Sequence, residues 1–139
     1  MDTTTTKEQV TSVITSAELL KHWQGHRRLT RRLIEAFPEK EFFEYSIGGM
    51  RPFAGMVKEF LAIAVPGIRE IVGGKAEQLN EQNDKADSKE NVLALWDEAT
   101  EELDRYWSQI PEEKFHENIL SLWTISGNSV VFYLLLYRQ

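Results

Sequence analysis

The sequence predicts an all-α protein built as a four-helix bundle, and three observations indicate it. Three segments carry apolar residues at the three- and four-residue spacing that lines one face of a helix. A fourth segment, 129–137, is apolar all round, as in a helix covered on every side. Proline and glycine separate the segments, and no stretch shows a convincing strand pattern. The 139 residues, 42% apolar and 27% charged, have the size and composition of one globular domain.

The first helix is predicted to follow an N-terminal arm, residues 1–15, so that residues 16–139 form the bundle. Thr15 and Glu18 have the spacing of a capping box, in which a hydroxyl and a carboxylate three residues later close a helix start. Pro38 ends the helix. The predicted inward face comprises Leu19, Trp23, His26, Thr30, Leu33 and Phe37. Four arginines are predicted on the opposite side: Arg27, Arg28, Arg31 and Arg32.

The second helix is predicted to begin after a connector, 38–50, in which residues 39–43 form one turn. Pro52 suits a first helical position, where no backbone donor is needed. Pro66 and Gly67 predict a kink, and Gly73 with Gly74 predicts the end. The apolar face comprises Phe53, Met56, Val57, Phe60, Ala64, Ile68 and Ile71.

The third helix follows a polar stretch, 75–87, which is predicted to be a long surface loop. Asp87 and Glu90 form the predicted cap, and Pro111 the predicted end. Its inward face has the clearest period in the chain: Val92, Trp96, Ala99, Leu103, Tyr106 and Ile110.

The fourth helix is predicted to begin near Ser129. Its apolar run is too short to span a membrane, which takes about 20 residues. The run reaches Gln139 with no glycine, asparagine or proline to end it, so we expect the helix to be truncated there.

Composition narrows the classes of function. A formal net charge of −6 disfavours nucleic-acid binding, which needs an excess of lysine and arginine. The absence of cysteine excludes disulfides and thiolate metal sites. Residues 1–7 lack the basic and apolar regions of a secretory signal. We therefore expect a cytoplasmic protein that binds neither membranes nor nucleic acid.

Three side chains are candidates for metal ligation. His22 and His26 are four residues apart, so both imidazoles can reach one metal ion. The commoner interpretation is an exposed His22 and a half-buried, hydrogen-bonded His26. Glu59 lies at the margin of the second apolar face, where it could bind a metal, act as a base, or simply reach solvent.

Four segments occur in an order that resembles the DinB/YfiT-like family. They are residues 23–29, 51–61, 93–100 and 131–137, with the sequences WQGHRRL, RPFAGMVKEFL, LALWDEAT and VFYLLLY. The likeness covers most of the chain from about Ser16 onward. It implies a four-helix bundle of up-down-down-up topology, often paired as a homodimer. The family's "DNA damage-inducible" name refers to gene regulation and does not imply DNA binding.

The resemblance also implies a divalent metal held by three histidines, one from the second helix and two from the fourth. Glu59 stands at the second-helix ligand position in place of histidine, and carboxylates favour harder metals. Zinc, nickel, iron and manganese all accept such a ligand. The chain ends at Gln139, before the point where the paired histidines of the fourth helix would occur.

Two functions of different classes remain open at this stage. The first is a metal-dependent enzyme, a small-molecule hydrolase or a transferase that uses a low-molecular-weight thiol. The second is a non-catalytic, dimeric helical bundle that binds a small ligand or a partner.

Overall fold

The computed structural model describes residues 14–75, 77, 78, 80, 82–116, 118, 119, 128 and 129. Within them lie the helices α1 (Ser16–Ala36), α2 (Glu39–Glu44), α3 (Phe53–Gly73) and α4 (Lys89–Trp107). A 3-10 helix, Glu112–His116, follows. The strands β1 (Asn118–Ile119) and β2 (Asn128–Ser129) form one short antiparallel pair. The described chain is therefore almost wholly helical, and the predicted fold class is confirmed.

Local side-chain chemistry sets where the helices begin. The Thr15 hydroxyl accepts from the Glu18 backbone N–H while the Glu18 carboxylate accepts from the Thr15 N–H, so the predicted capping box is confirmed. The predicted cap of the third long helix is wrong by one residue. Ser88 caps α4 by accepting from the Asn91 N–H, whereas the Asp87 carboxylate accepts from the Asn91 side chain.

The three long helices share two groups of buried side chains, and these fix the helix directions. The first group joins the beginning of α1 to the ends of α3 and α4: Leu19, Trp23, Ile68, Ile71, Leu103 and Trp107. The second joins the end of α1 to the beginnings of α3 and α4: Ile34, Ala54, Val57, Val92 and Trp96. Consequently α3 and α4 both run antiparallel to α1 and parallel to each other, in the order up, down, down. The connector between α3 and α4 must return along the length of the bundle.

The inward face of α1 differs from the predicted one. Leu19 and Trp23 are buried as predicted, but Leu33 is 54% exposed, and Arg27, predicted on the outer side, is only 5% exposed. Arg27 is buried because its long side chain lies on α4, with the guanidinium carbon 4.2 Å from the centroid of the Trp96 ring. A pattern that scores arginine as polar misses this arrangement.

Helix α3 runs unbroken across Pro66 and ends as predicted. Gly74 adopts a left-handed conformation with φ 71°, and its N–H donates to the Glu70 carbonyl. Helix α4 buries Val92, Trp96, Ala99 and Leu103 as predicted, but it ends at Trp107, four residues before Pro111. Tyr106, which was predicted to face inward, is only half-buried, and its neighbour Trp107 is buried instead.

The structure has no helix at the residue where the fourth long helix was predicted to begin. Ser129 is in β2, opposite Asn118, so no helix begins at this residue. Residues 130–139 and the arm up to residue 13 lie outside the described residues. None of the described helices combines the length and apolar character that a membrane crossing requires.

Candidate functional site

Glu59 is held at the surface of α3 by an arginine that precedes the helix. Arg51 Nη2 donates to Glu59 Oε2, and the two side chains are 52% and 25% exposed, respectively. The stem of Arg51 passes over Gly55, where an added Cβ would lie 3.4 Å from Arg51 Cδ. The Arg51 side chain therefore runs along the surface of α3, in van der Waals reach of the Gly55 position, to Glu59 eight residues later. The Glu59 carboxylate is therefore half-buried, and its ion-pair partner among the described residues, Arg51, is exposed.

His22 and His26 lie on the outer surface of α1, and their rings are in contact. The ring centroids are 4.8 Å apart and the ring planes meet at 82°, an edge-to-face arrangement. The two imidazoles line an open depression of about 660 Å³. The other residues that line it are Glu18, Lys21, Gly25, Arg28, Leu29 and Arg32.

The three predicted candidates are not brought together. Among the described residues, no group of three histidine, cysteine, aspartate or glutamate side chains could hold a metal ion. Glu59 therefore does not share a centre with His22 and His26. The metal-binding role of each remains a prediction.

A buried polar layer between α1 and α4 was not anticipated from the sequence. Gln24 Nε2 donates to Asp104 Oδ1 at 2.9 Å and to the Thr100 carbonyl at 3.3 Å. Arg27 Nη2 donates to the Trp96 carbonyl and to Thr100 Oγ1, both at 3.3 Å. Burial lowers the pKa of Arg27 to about 10, and the negative charge of Asp104 opposes this shift. Arg27 is thus still charged at neutral pH, and the layer fixes the register of α1 against α4.

One of the outer arginines of α1, Arg31, pairs with two carboxylates. Arg31 donates from Nε to Asp97 Oδ1 at 2.6 Å and from Nη2 to Asp97 Oδ2 at 2.9 Å, and it also pairs with Glu35. These hydrogen bonds lower the pKa of Asp97 and raise that of Arg31. The Arg31–Asp97 ion pair therefore connects α1 to α4 at the protein surface.

A groove between α3 and α4 is the second cavity of interest. Its volume is about 570 Å³, and the connector after α3 forms its third wall. We call it the α3–α4 groove. Its floor is apolar and comprises Leu61, Ala62, Val65, Pro66, Leu95 and Ala99. Its polar rim comprises Arg69, Glu77, Gln78, Asn80, Asn83, Glu98 and Glu102.

The sequence model of the DinB family matches residues 1–124. The chain belongs to the DinB family. This match confirms the resemblance seen in the sequence, and it includes α1 to α4 and every candidate side chain described above. No curated protein matches the sequence.

The metal that the DinB resemblance implies can be tested against the residues present. Glu59 offers a carboxylate of the right chemistry on α3, but the described residues around it do not complete a three-ligand set. Among the described residues of this DinB protein, Glu59 could serve as one ligand of such a metal centre, and the other ligands are not found.

Proposed function

We propose that this DinB-family protein acts on a small molecule with the help of a divalent cation that binds at Glu59. The observation that carries the proposal is the position of this half-buried carboxylate, whose partner Arg51 is 52% exposed. Membership of the DinB family supports the proposal, because the resemblance drawn from the sequence implies a metal ligand at the position of Glu59. A bound divalent cation acidifies a coordinated water or thiol, as hydrolysis or thiol transfer requires.

Arg51 gives this proposal a specific signature, because it competes with any cation for the same carboxylate. An exposed ion pair contributes about 1 kcal/mol or less, so a divalent ion can displace the guanidinium at a modest cost. Removal of Arg51 should therefore improve cation binding at Glu59, and removal of Glu59 should abolish it. Any further ligands would have to come from outside the described residues.

We predict that Arg51→Gln tightens the binding of Zn²⁺, Ni²⁺ or Mn²⁺ by about threefold. We predict that Glu59→Gln weakens it by about tenfold or more, since a direct ligand is lost. Titration calorimetry of the full chain, with metal analysis of the purified protein, measures both effects.

Arg69→Gln is the matched control, because it breaks another Arg–Glu pair that starts from α3, with Glu77 at 3.0 Å. This variant should leave the metal affinity unchanged. Equal affinities in the wild type, Arg51→Gln and Glu59→Gln proteins would contradict the proposal.

The second candidate is a dimeric, non-catalytic bundle, and the outer face of α1 favours it. Leu29 and Leu33 are 55% and 54% exposed and lie one helical turn apart. A second copy packed antiparallel across Gly25 would place Glu18 of one helix opposite Arg32 of the other, since each is seven residues from Gly25. Such a dimer would form two Glu18–Arg32 contacts, whereas Lys21 and Arg28 give each copy of the face an excess of positive charge.

We predict that the full chain sediments as a dimer and that Leu29→Gln combined with Leu33→Gln shifts it toward monomer. The physical reason is the loss of two apolar side chains from the contact. Ala94→Gln, at an exposed position on α4, is the control and should leave the sedimentation coefficient unchanged. A wild-type chain that sediments as a monomer at all concentrations would rule this candidate out.

A further inference from the structure

The α3–α4 groove combines an apolar floor with a polar rim, the construction typical of small-molecule sites. Its volume of about 570 Å³ lies within the usual range of such sites, about 300–1,000 Å³. Ala62 and Ala99 are buried at its base, and their small side chains let the groove reach between two helices that run in parallel. An apolar body of modest size can therefore lie on the floor.

The charges of the rim are unequal. Its one cationic side chain, Arg69, is paired with Glu77, with Nε and Oε2 3.0 Å apart. Two carboxylates remain on α4, Glu98 and Glu102, which lie one turn apart. Glu102 forms a long ion pair, 3.9 Å, with Arg105, which does not line the groove, and Glu98 makes no ion pair within the described residues. After internal pairing, the rim keeps an excess of negative charge.

A proline interrupts the backbone hydrogen bonds of α3 beside the groove. Pro66 has no N–H, so the carbonyl of Ala62 lacks the hydrogen bond that residue i+4 normally donates within a helix. Both residues line the α3–α4 groove. The rim amides of Gln78, Asn80 and Asn83 supply both donors and acceptors, so the charge preference of the groove rests on its carboxylates.

We propose that the α3–α4 groove binds an organic cation, an amine whose apolar body lies on the Leu61–Val65–Leu95 floor and whose ammonium group contacts Glu98 and Glu102. An anion of the same shape would meet two carboxylates and lose its hydration, so the groove discriminates by charge. This inference is separate from the cation site at Glu59, which does not line the groove.

The experiment uses hexylammonium as the probe and follows backbone amide chemical shifts of the full chain. Hexylammonium should bind with a dissociation constant of about 1 mM, as expected for a ligand of this size. Shifts should be concentrated at the groove residues of α3 and α4. Hexanoate carries the same apolar body with the opposite charge, and methylammonium carries the charge without the body. Both should bind at least about tenfold more weakly.

The paired variant Glu98→Gln and Glu102→Gln should weaken hexylammonium binding by about fivefold to tenfold, because two charge-assisted contacts, one exposed and one half-buried, are lost. Glu101→Gln, at an exposed position on the same helix, is the matched control and should bind as the wild type does. Glu59→Gln should also retain hexylammonium binding, which separates this test from that of the metal site.

Three results would overturn the inference. They are an absence of hexylammonium binding at tens of millimolar, a preference for hexanoate, and an unchanged affinity in the Glu98 and Glu102 double variant. Thermal unfolding of each variant checks that a loss of binding is not a loss of fold.

Discussion

Replacing Trp96 with alanine should lower the free energy of unfolding by about 3–5 kcal/mol, one of the two largest effects that we expect. The indole is only 2% exposed and packs with the fully buried Ile34, Val57 and Val92. Alanine would leave a cavity at the point where α1, α3 and α4 meet. It would also remove the aromatic surface under the Arg27 guanidinium, so a buried charge would lose its stacking partner.

Urea unfolding followed by far-ultraviolet circular dichroism measures this change, since the chain has other tryptophans that would complicate fluorescence. Trp96→Phe is the matched control. It keeps an aromatic face for Arg27 and most of the packing volume, and should cost about 1–2 kcal/mol. If Trp96→Ala costs less than about 1 kcal/mol, then the second buried group is not a real core of the bundle.

The inward face of α4 could be predicted from its sequence because apolar side chains recur there with a regular helical period. Val92, Trp96, Ala99 and Leu103 are all buried as predicted. Helix α1 was harder, because a buried arginine and a buried glutamine occupy positions of the face that meets α4. Residue type indicates burial reliably only when the side chain is uniformly apolar. A long, amphipathic side chain such as Arg27 is buried or exposed according to what lies opposite it.

Only part of the candidate site could be predicted from the sequence. Its contacts depend on tertiary structure or on residues that precede a helix. The spacing of His22 and His26 correctly predicted neighbouring imidazoles, now seen as an edge-to-face pair. The pairing of Glu59 with Arg51 joins residues eight apart across a helix start, which is farther than the three- and four-residue spacings at which helical side chains usually pair. The α3–α4 groove has a wall from the connector, and loop positions carry no periodic signal.

The second large effect is expected at Arg27, where two substitutions separate packing from charge. Arg27→Ala should lower the free energy of unfolding by about 2–3 kcal/mol, because it removes the stem that fills the α1–α4 interface. Arg27→Met should cost less than about 1 kcal/mol, because it keeps an unbranched stem and removes a charge that is costly to bury. Two buried atoms, Arg27 Nε and Gln24 Oε1, have no hydrogen-bond partner among the described residues. Their unmet hydrogen bonds contribute part of the free-energy cost of burying this polar layer.

The difference between the two variants identifies what holds α1 against α4. If Arg27→Met is as damaging as Arg27→Ala, then the hydrogen bonds to Thr100 and the Trp96 carbonyl contribute more than the packing does. A double-mutant cycle of Arg27→Met with Trp96→Ala, which removes the aromatic face, measures the coupling of the two side chains, which we expect to be about 1 kcal/mol. Because the guanidinium remains charged below pH 10, the penalty of its burial is constant across the neutral range. The wild-type and Arg27→Met proteins should therefore show the same difference in stability at pH 6 and pH 8.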